Sequence, residues 1–277
     1  MAIVGIGCRL PGGATDPEGL WRILAASRDA ITDVPADRWN AKLFFDPEPG
    51  TLGKTNARSG GFIEEIDRFD AGYFGISPRE AALMDPQQRL LLEVAADAFE
   101  NAGMPMDRVA GTSTGVFVGI SSYDYACIQQ GQGDRMLIDA HSNTGGALSI
   151  AANRISYFFN LRGTSLALDT ACSSSMVAVH LACQSLWRGD LSMALAGGVN
   201  VLIKPEPWIG FSRLSMLSPD GRCKAFDANA NGFVRAEGAG MLVLKPLSRA
   251  MEDGDLVCGI VLATGSNQDG RTSSMTV

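Results

Sequence analysis

The stretch LALDTACSSSMVAVHLACQSLWRGD, residues 166–190, sets Cys172 where a short apolar run of strand character meets three serines and a long helical pattern. A sharp turn from a strand into a helix exposes the corner side chain and aims the first helical N–H groups at it. Those donors, together with the positive end of the helix dipole, stabilise a thiolate. Ser173, Ser174 and Ser175 keep the corner small, so a bulky acyl group has room to approach. The backbone N–H of Cys172 is itself placed to serve as a donor to an oxyanion. The chemistry these residues imply is acyl transfer to a thiol nucleophile. The bland alternative is that Cys172 is a small buried hydrophobe, as most cysteines are in a chain of this size.

A nucleophile of this kind needs a base, and the chain has two histidines. His180 lies eight residues further along the same helical pattern. At 1.5 Å per residue that is about 12 Å along the axis, outside hydrogen-bonding reach of Cys172. Its expected role is a packed core histidine. Spacing leaves His141, in the polar loop IDAHSNTGG, open but gives it no partner. Cys8, Cys127, Cys172, Cys183, Cys223 and Cys258 follow one another at intervals of 11 to 119 residues, without a C-x-x-C pair or a histidine at ligand spacing. No metal site is expected from that pattern.

The elements that must hold the corner read as alternating apolar strands and helical patterns, which points to a layered α/β fold. Residues 2–7 form the opening strand, and Asp16 with Pro17 starts a helix carrying Leu20, Ile23 and Leu24. Residues 29–84 are rich in Pro, Gly, Asp and Arg and read as a looped insertion. MDPQQRLLLEVAADAFENAG is the clearest helix: Asp85 caps it, Pro86 opens it and Gly103 stops it. Strands are predicted at 116–120, 166–168, 194–203, 241–247 and 257–264, and helices at 146–160 and 173–188. The last of these helices is apolar on nearly every side, as a helix buried within the core would be. The text after the final strand stops without a closing helix, so the chain is expected to end within a domain.

Length and composition fit an ordinary globular protein: 277 residues, 46% hydrophobic and 19% charged. A net charge of -7 without long runs of one sign argues against nucleic acid or an anionic membrane as the main partner. No stretch of roughly 18 consecutive apolar residues is present, and the first residues read as a strand and not as a signal peptide, so a cytoplasmic location is expected.

Three other signals compete for attention. GIGCRLPGG follows the first strand, but Leu10 replaces the third glycine of a dinucleotide-binding fingerprint and Pro11 comes next. NGFVRAEGAG lacks the Gly-Lys-Ser/Thr ending of a phosphate loop, and its Glu237 is expected to be a buried, hydrogen-bonded structural carboxylate. Arg79 in SPRE and Arg89 in DPQQR stand near acidic residues. A carrier-protein or phosphate contact is one reading for them, and exposed or paired surface arginines are the commoner one.

DTACSSSMVAVHLACQSL resembles the active-site motif of the β-ketoacyl synthase (ketosynthase) domains of type I polyketide synthases, members of the thiolase-like superfamily. AIVGIGCRLPGG, DPQQRLLLEVAADAFENAG, ALSIAANRISYFFNLRGTSLALDTACSSS, AGGVNV, MLSPDGRCKAFDANANGFVRAEGAGMLVLKPLSRA and GSNQDGR agree, in order, across essentially the whole chain. The resemblance implies a thiolase-like layered α/β/α fold. This chain corresponds to the first half of the duplicated unit (residues 1–251) and the start of the second (252–277). It implies that Cys172 takes an acyl chain from the phosphopantetheine arm of an acyl carrier protein. Malonyl-carrier then decarboxylates and its carbanion attacks that thioester. No bound cofactor, metal, nucleic acid or membrane is implied, and a homodimer built around residues 166–169 is. Relatives that only decarboxylate, and chain-length-factor partners, carry glutamine at the nucleophile position; Cys172 argues against both. The family's His-Gly-Thr-Gly-Thr, lysine and Asn-x-Gly-His do not occur in this sequence, and His141 and His180 match neither histidine motif. The 277-residue chain is therefore expected not to complete a condensation. The alternative is a non-catalytic ketosynthase-like scaffold that dimerises or binds carrier protein.

Overall fold

The structure is a computed structural model that describes residues 1–131, 133 and 135–273. Its elements begin with β1 (Ala2–Arg9), α1 (Pro17–Ala25), β2 (Ile31–Asp33), α2 (Ala41–Phe44), β3 (Ser59–Gly61) and α3 (Pro78–Leu83). There follow α4 (Pro86–Asn101), α5 (Met106–Val109), β4 (Thr114–Gly119), α6 (Asp124–Gly131), α7 (Ser142–Gly146) and α8 (Ile150–Phe158). The chain continues with β5 (Ser165–Leu168), α9 (Ser174–Trp187), β6 (Met193–Asn200), α10 (Glu206–Arg213), β7 (Gly238–Lys245), α11 (Leu247–Asp253) and β8 (Gly259–Ile260).

Six strands form one mixed sheet in the order β5-β4-β6-β7-β1-β8. β4 runs parallel to both β5 and β6, whereas β6 with β7, β7 with β1, and β1 with β8 are antiparallel. Side chains alternate across the sheet, as the two-residue strand period requires. Val116 and Val118 of β4, Leu195 of β6, and Met241 and Val243 of β7 pack with α4 and α8 on one face. Phe117, Ala194, Ala196 and Leu244 pack with Ala178, Ala182, Cys183 and Leu186 of α9 on the other. This is the α/β/α layering expected of a thiolase-like fold.

The helix over Pro86–Asn101 forms as its sequence predicts. Asp85 accepts a hydrogen bond from the Gln87 N–H, and Gly103 follows the last turn with φ +64°, the left-handed conformation that glycine adopts without strain. Burial holds Asp85 up at about 6, against the opposing pull of the Gln87 backbone bond.

Several expected elements come out differently. Residues 29–84 are not only loop: they contribute the β2/β3 ribbon, two short helices and part of a second core. In that core Trp39, Ala57 and Phe62 meet Leu202, Trp208 and Leu217, with the Trp39 and Trp208 rings 5.5 Å apart. Two aromatic anchors and an alanine scattered through turn-forming text leave no period to read, and their partners lie about 150 residues away in the chain. The predicted strand at 257–264 reduces to Gly259–Ile260 paired with β1, and the predicted helix at 146–160 begins only at Ile150.

The α9 helix is buried on one face only, which corrects the expectation of a helix surrounded by core. Its small residues Ala178 and Ala182 face the sheet, while Met176 is 70% exposed and Trp187 45%. Apolar residues all round a helix mark surface that favours burial, and Met176 and Trp187 leave part of that surface open.

Candidate active site

The chain leaves β5 at Leu168 and enters α9 at Ser174, so the corner is five residues long and Cys172 lies two residues before the helix. The turn is tight enough that Thr170 and Cys172 form an isolated β-bridge. Ala171 takes φ +54°, a left-handed conformation that costs a residue with a Cβ and that surrounding structure must hold in place.

Side chains on both sides of the corner supply that hold. Asp169 Oδ1 accepts from the Ala171 N–H at 2.8 Å, and Ser174 Oγ accepts from the Thr170 N–H at 2.9 Å. The Ser174 hydroxyl in turn donates to the Ala171 carbonyl at 2.7 Å, and the Ser173 hydroxyl donates to the Thr170 carbonyl at 2.8 Å. The hydroxyls that read in the sequence as merely small are thus the fasteners of the corner. Asp169 and Thr170 were not singled out by sequence reasoning, although an Asp followed two residues later by an N–H to cap is a recognisable Asx turn.

The helix is also held down from below. Gly119, at the end of β4, lies so close to the first turn of α9 that a Cβ built there would meet the Ser174 carbonyl carbon at 2.5 Å. A Cβ on Gly198, on the neighbouring β6, would meet the Ser175 Cβ at 2.8 Å. These two glycines let the start of α9 rest on the ends of the two central parallel strands, which fixes the height of the corner above the sheet.

Cys172 is exposed and opens onto a cleft of about 650 Å³. Its walls come from the C-terminal ends of β4 and β6, the first turns of α9, and the segment 233–242 that leads into β7. Cys8 and Cys183 are buried, and burial raises both thiols above the ordinary cysteine value. Cys223 and Cys258 are exposed but do not line the cleft.

Neither histidine lines it either. His180 is half-buried on α9, its Nδ1 2.8 Å from the Thr264 hydroxyl, so it is partnered as expected but is not a core residue. His141 precedes α7, with Nδ1 3.9 Å from a Glu80 carboxylate oxygen. Among the described residues no three His, Cys, Asp or Glu side chains gather as a metal site, and no helix is long and apolar enough to cross a membrane.

Glu237 has the structural role expected of it. It is 3% exposed, takes the Arg38 guanidinium on both carboxylate oxygens at 2.8 and 2.9 Å, and accepts from the Ile63 and Leu202 N–H groups. Burial alone would lower the Arg38 pKa, but the Glu237 hydrogen bonds and charge outweigh it and the net shift is upward. This pair ties the second core to the rim of the cleft. Arg79 is a surface arginine paired with Asp139. Arg89 is not a surface arginine: it is buried and donates to the carbonyls of Met84 and Asp67, because it lies on the core-facing side of α4.

Comparison with known proteins places this geometry. The family model "Beta-ketoacyl synthase, N-terminal domain" matches residues 1–250. One subunit of the phenolphthiocerol/phthiocerol polyketide synthase of Mycobacterium tuberculosis is 52% identical over 276 residues, which covers all of this chain and 18% of that protein. Another subunit of the same synthase is 51% identical over the same length and is covered to 15%. A ketosynthase from module 6 of the bacillaene synthase of Bacillus subtilis 168 superposes with a TM-score of 0.91 at 42% identity, over all of this chain and 45% of the other. An oxazolomycin ketosynthase domain from Streptomyces albus JA3453 gives 0.87 at 40% identity, over 92% of this chain and 43% of the other. The chain thus spans less than a fifth of these polyketide synthase proteins and less than half of the solved ketosynthase chains.

Proposed function

From the premise that the chain belongs to the β-ketoacyl synthase family, within which it is a ketosynthase of polyketide synthase type, we propose that Cys172 is the acyl-accepting nucleophile of a decarboxylative condensation. The observation that carries this reading is the placement of the Cys172 side chain: exposed, lining a cleft, two residues before a 14-residue helix.

In the first half-reaction the Cys172 sulfur attacks the carbonyl carbon of an acyl thioester carried on the phosphopantetheine arm of an acyl carrier protein. The carbonyl oxygen becomes an oxyanion that the Cys172 N–H helps to stabilise. Collapse breaks the bond to the pantetheine sulfur, which leaves as a thiolate and takes the proton lost from Cys172. The acyl group is then held on the enzyme as a thioester. In the second half-reaction the C–C bond of malonyl-carrier breaks with loss of CO2, and the resulting carbanion attacks the acyl-Cys172 carbonyl. The Cys172–acyl bond breaks and β-ketoacyl-carrier is released. Residues 1–251 form the first half of this catalytic unit and 252–277 open the second.

Neither His141 nor His180 reaches the cleft, so the 277-residue chain accepts the acyl group but does not turn it into a condensation product. β5 is the terminal strand of the sheet, paired with β4 alone among the described residues, which supports a homodimer joined through that edge. The test is to incubate the chain with an acyl-pantetheine thioester and locate the adduct by peptide mass spectrometry. An acyl group on Cys172 is expected. A chain left unmodified at Cys172 while its fold is intact would favour the second reading, a scaffold that dimerises or binds carrier protein without catalysis.

A further inference from the structure

Arg235 is a half-buried cation without a carboxylate partner among the described residues. No described residue hydrogen bonds to its guanidinium, and Nη1 is buried with no partner at all. Two aromatic rings flank it instead, with the guanidinium carbon 5.1 Å from the centre of Phe211 and 5.8 Å from that of Trp208. The neighbouring carboxylates are already committed. Glu237, two residues on, is held by Arg38, and Asp124 Oδ2 accepts from the Ile203 and Lys204 N–H groups at 3.1 and 3.0 Å. Burial lowers the Arg235 pKa to about 10, with Asp124 and Cys172 pulling the other way, so the group is charged at neutral pH.

A buried donor without an acceptor, such as Nη1, is costly, and a group that enters the adjoining space with an oxygen relieves that cost. The position of Arg235 points to a chain carried by Cys172. Arg235 lines the cleft of Cys172 and also a second pocket of about 570 Å³ that opens over Tyr123, Asp124 and Cys127. Ser121, Asn200, Phe211 and Arg235 are common to both, so the two spaces adjoin at this point. A chain attached to the Cys172 sulfur and extending into the second pocket passes the guanidinium. A saturated chain leaves the charge unpaired; an oxygen on the chain pairs it.

We infer that Arg235 is a specificity-determining residue that selects acyl chains bearing a hydroxyl or keto oxygen over saturated ones. The inference rests on Cys172 being the acyl acceptor. A site built to hydrogen bond to a substrate oxygen discriminates against the analogue that lacks it, because its own polar group is then left unpaired.

The experiment measures the rate at which Cys172 is acylated by octanoyl-, 3-hydroxyoctanoyl- and 5-hydroxyoctanoyl-pantetheine, in the parent chain and in Arg235→Met. The parent is expected to favour at least one hydroxyacyl thioester about tenfold, and Arg235→Met to bring that ratio to about one. Arg235→Lys, which keeps the charge and loses the planar fork, is expected to fall between the two and provides the same reading should the methionine variant not fold. Acylation of Cys172 by all three probes with no preference in the parent, or with the preference intact in Arg235→Met, overturns this inference alone. Failure of every probe to acylate Cys172 in the folded parent overturns the acyl-acceptor reading and this inference with it.

Discussion

Replacing Gly119 by alanine would put a methyl group where the first turn of α9 rests on the sheet. The added Cβ would lie 2.5 Å from the Ser174 carbonyl carbon and 2.8 Å from the Ser175 Cα, and it would also press on the Ser175 N–H. Ordinary van der Waals contact for a Cβ begins near 3.4 Å, so the start of the helix must rise by roughly 1 Å. Nothing flexible is available to give way, because the atoms met are backbone. Overpacking of this kind costs about 1–3 kcal/mol. In a domain of this size that lowers the melting temperature by roughly 2–10 °C and leaves the fold intact. The functional cost is larger. Cys172 precedes the displaced turn by two residues, and an error of about 1 Å in the placement of a reacting group can reduce a rate by about 10²-fold. The assay combines a thermal melt with the rate of Cys172 acylation by octanoyl-pantetheine, read by mass spectrometry. Gly131→Ala serves as the control, since a Cβ on Gly131 meets nothing within 4 Å. Gly119→Ala acylating within threefold of the parent, at an unchanged melting temperature, would refute the claim that strand-end glycines set the position of the nucleophile.

Three further outcomes follow from the same structure. Glu237→Gln leaves the buried Arg38 guanidinium with only the exposed Asp37 as counter-charge, and a loss of about 3 kcal/mol, the low end for a broken buried pair, is expected in denaturant titration; a loss under 1 kcal/mol contradicts the bridging role given to this pair. The Asp85 carboxyl has its folded pKa raised to about 6 from 3.8, so the folded state binds the extra proton between those values and the contribution of this group is lost as pH rises through that window. The difference in stability between parent and Asp85→Asn is accordingly expected to change by about 3 kcal/mol between pH 4 and pH 7, and a pH-independent difference would contradict it. Iodoacetamide is expected to modify Cys172, Cys223 and Cys258 in the folded chain and Cys8 and Cys183 only after unfolding, as their burial dictates; equal labelling of all of them without denaturant would contradict the packing of α9 and β1.

What the sequence made legible depended on how local the cause was. The helix over Pro86–Asn101 was fully readable because its cap, first-turn proline and terminal glycine all lie within it or beside it. The corner at Cys172 was readable as a position, since a strand run and a helical run meet there. How the corner is made was not. The left-handed backbone at Ala171 has no signature in an alanine, and the contribution of Gly119 and Gly198 depends on strands that meet α9 only after folding. Arg89 looked like a surface arginine because its neighbours in sequence are polar, yet α4 turns it toward the Met84 carbonyl. Arg235 passed unnoticed within a run of turn glycines; the absence of a partner is a property of three-dimensional surroundings that no spacing encodes. The second core of Trp39, Phe62 and Trp208 was missed for a related reason, as its rings come from two irregular segments far apart in the chain.

The central claim is that the sulfur of Cys172 carries an acyl thioester, and the mass of the intact chain after exposure to octanoyl-pantetheine tests it most directly. A single octanoyl group per chain is expected, removed by neutral hydroxylamine as a thioester is, with no adduct on Cys172→Ala. An adduct that persists in Cys172→Ala, or that resists hydroxylamine as an ester on Ser173, Ser174 or Ser175 would, contradicts it.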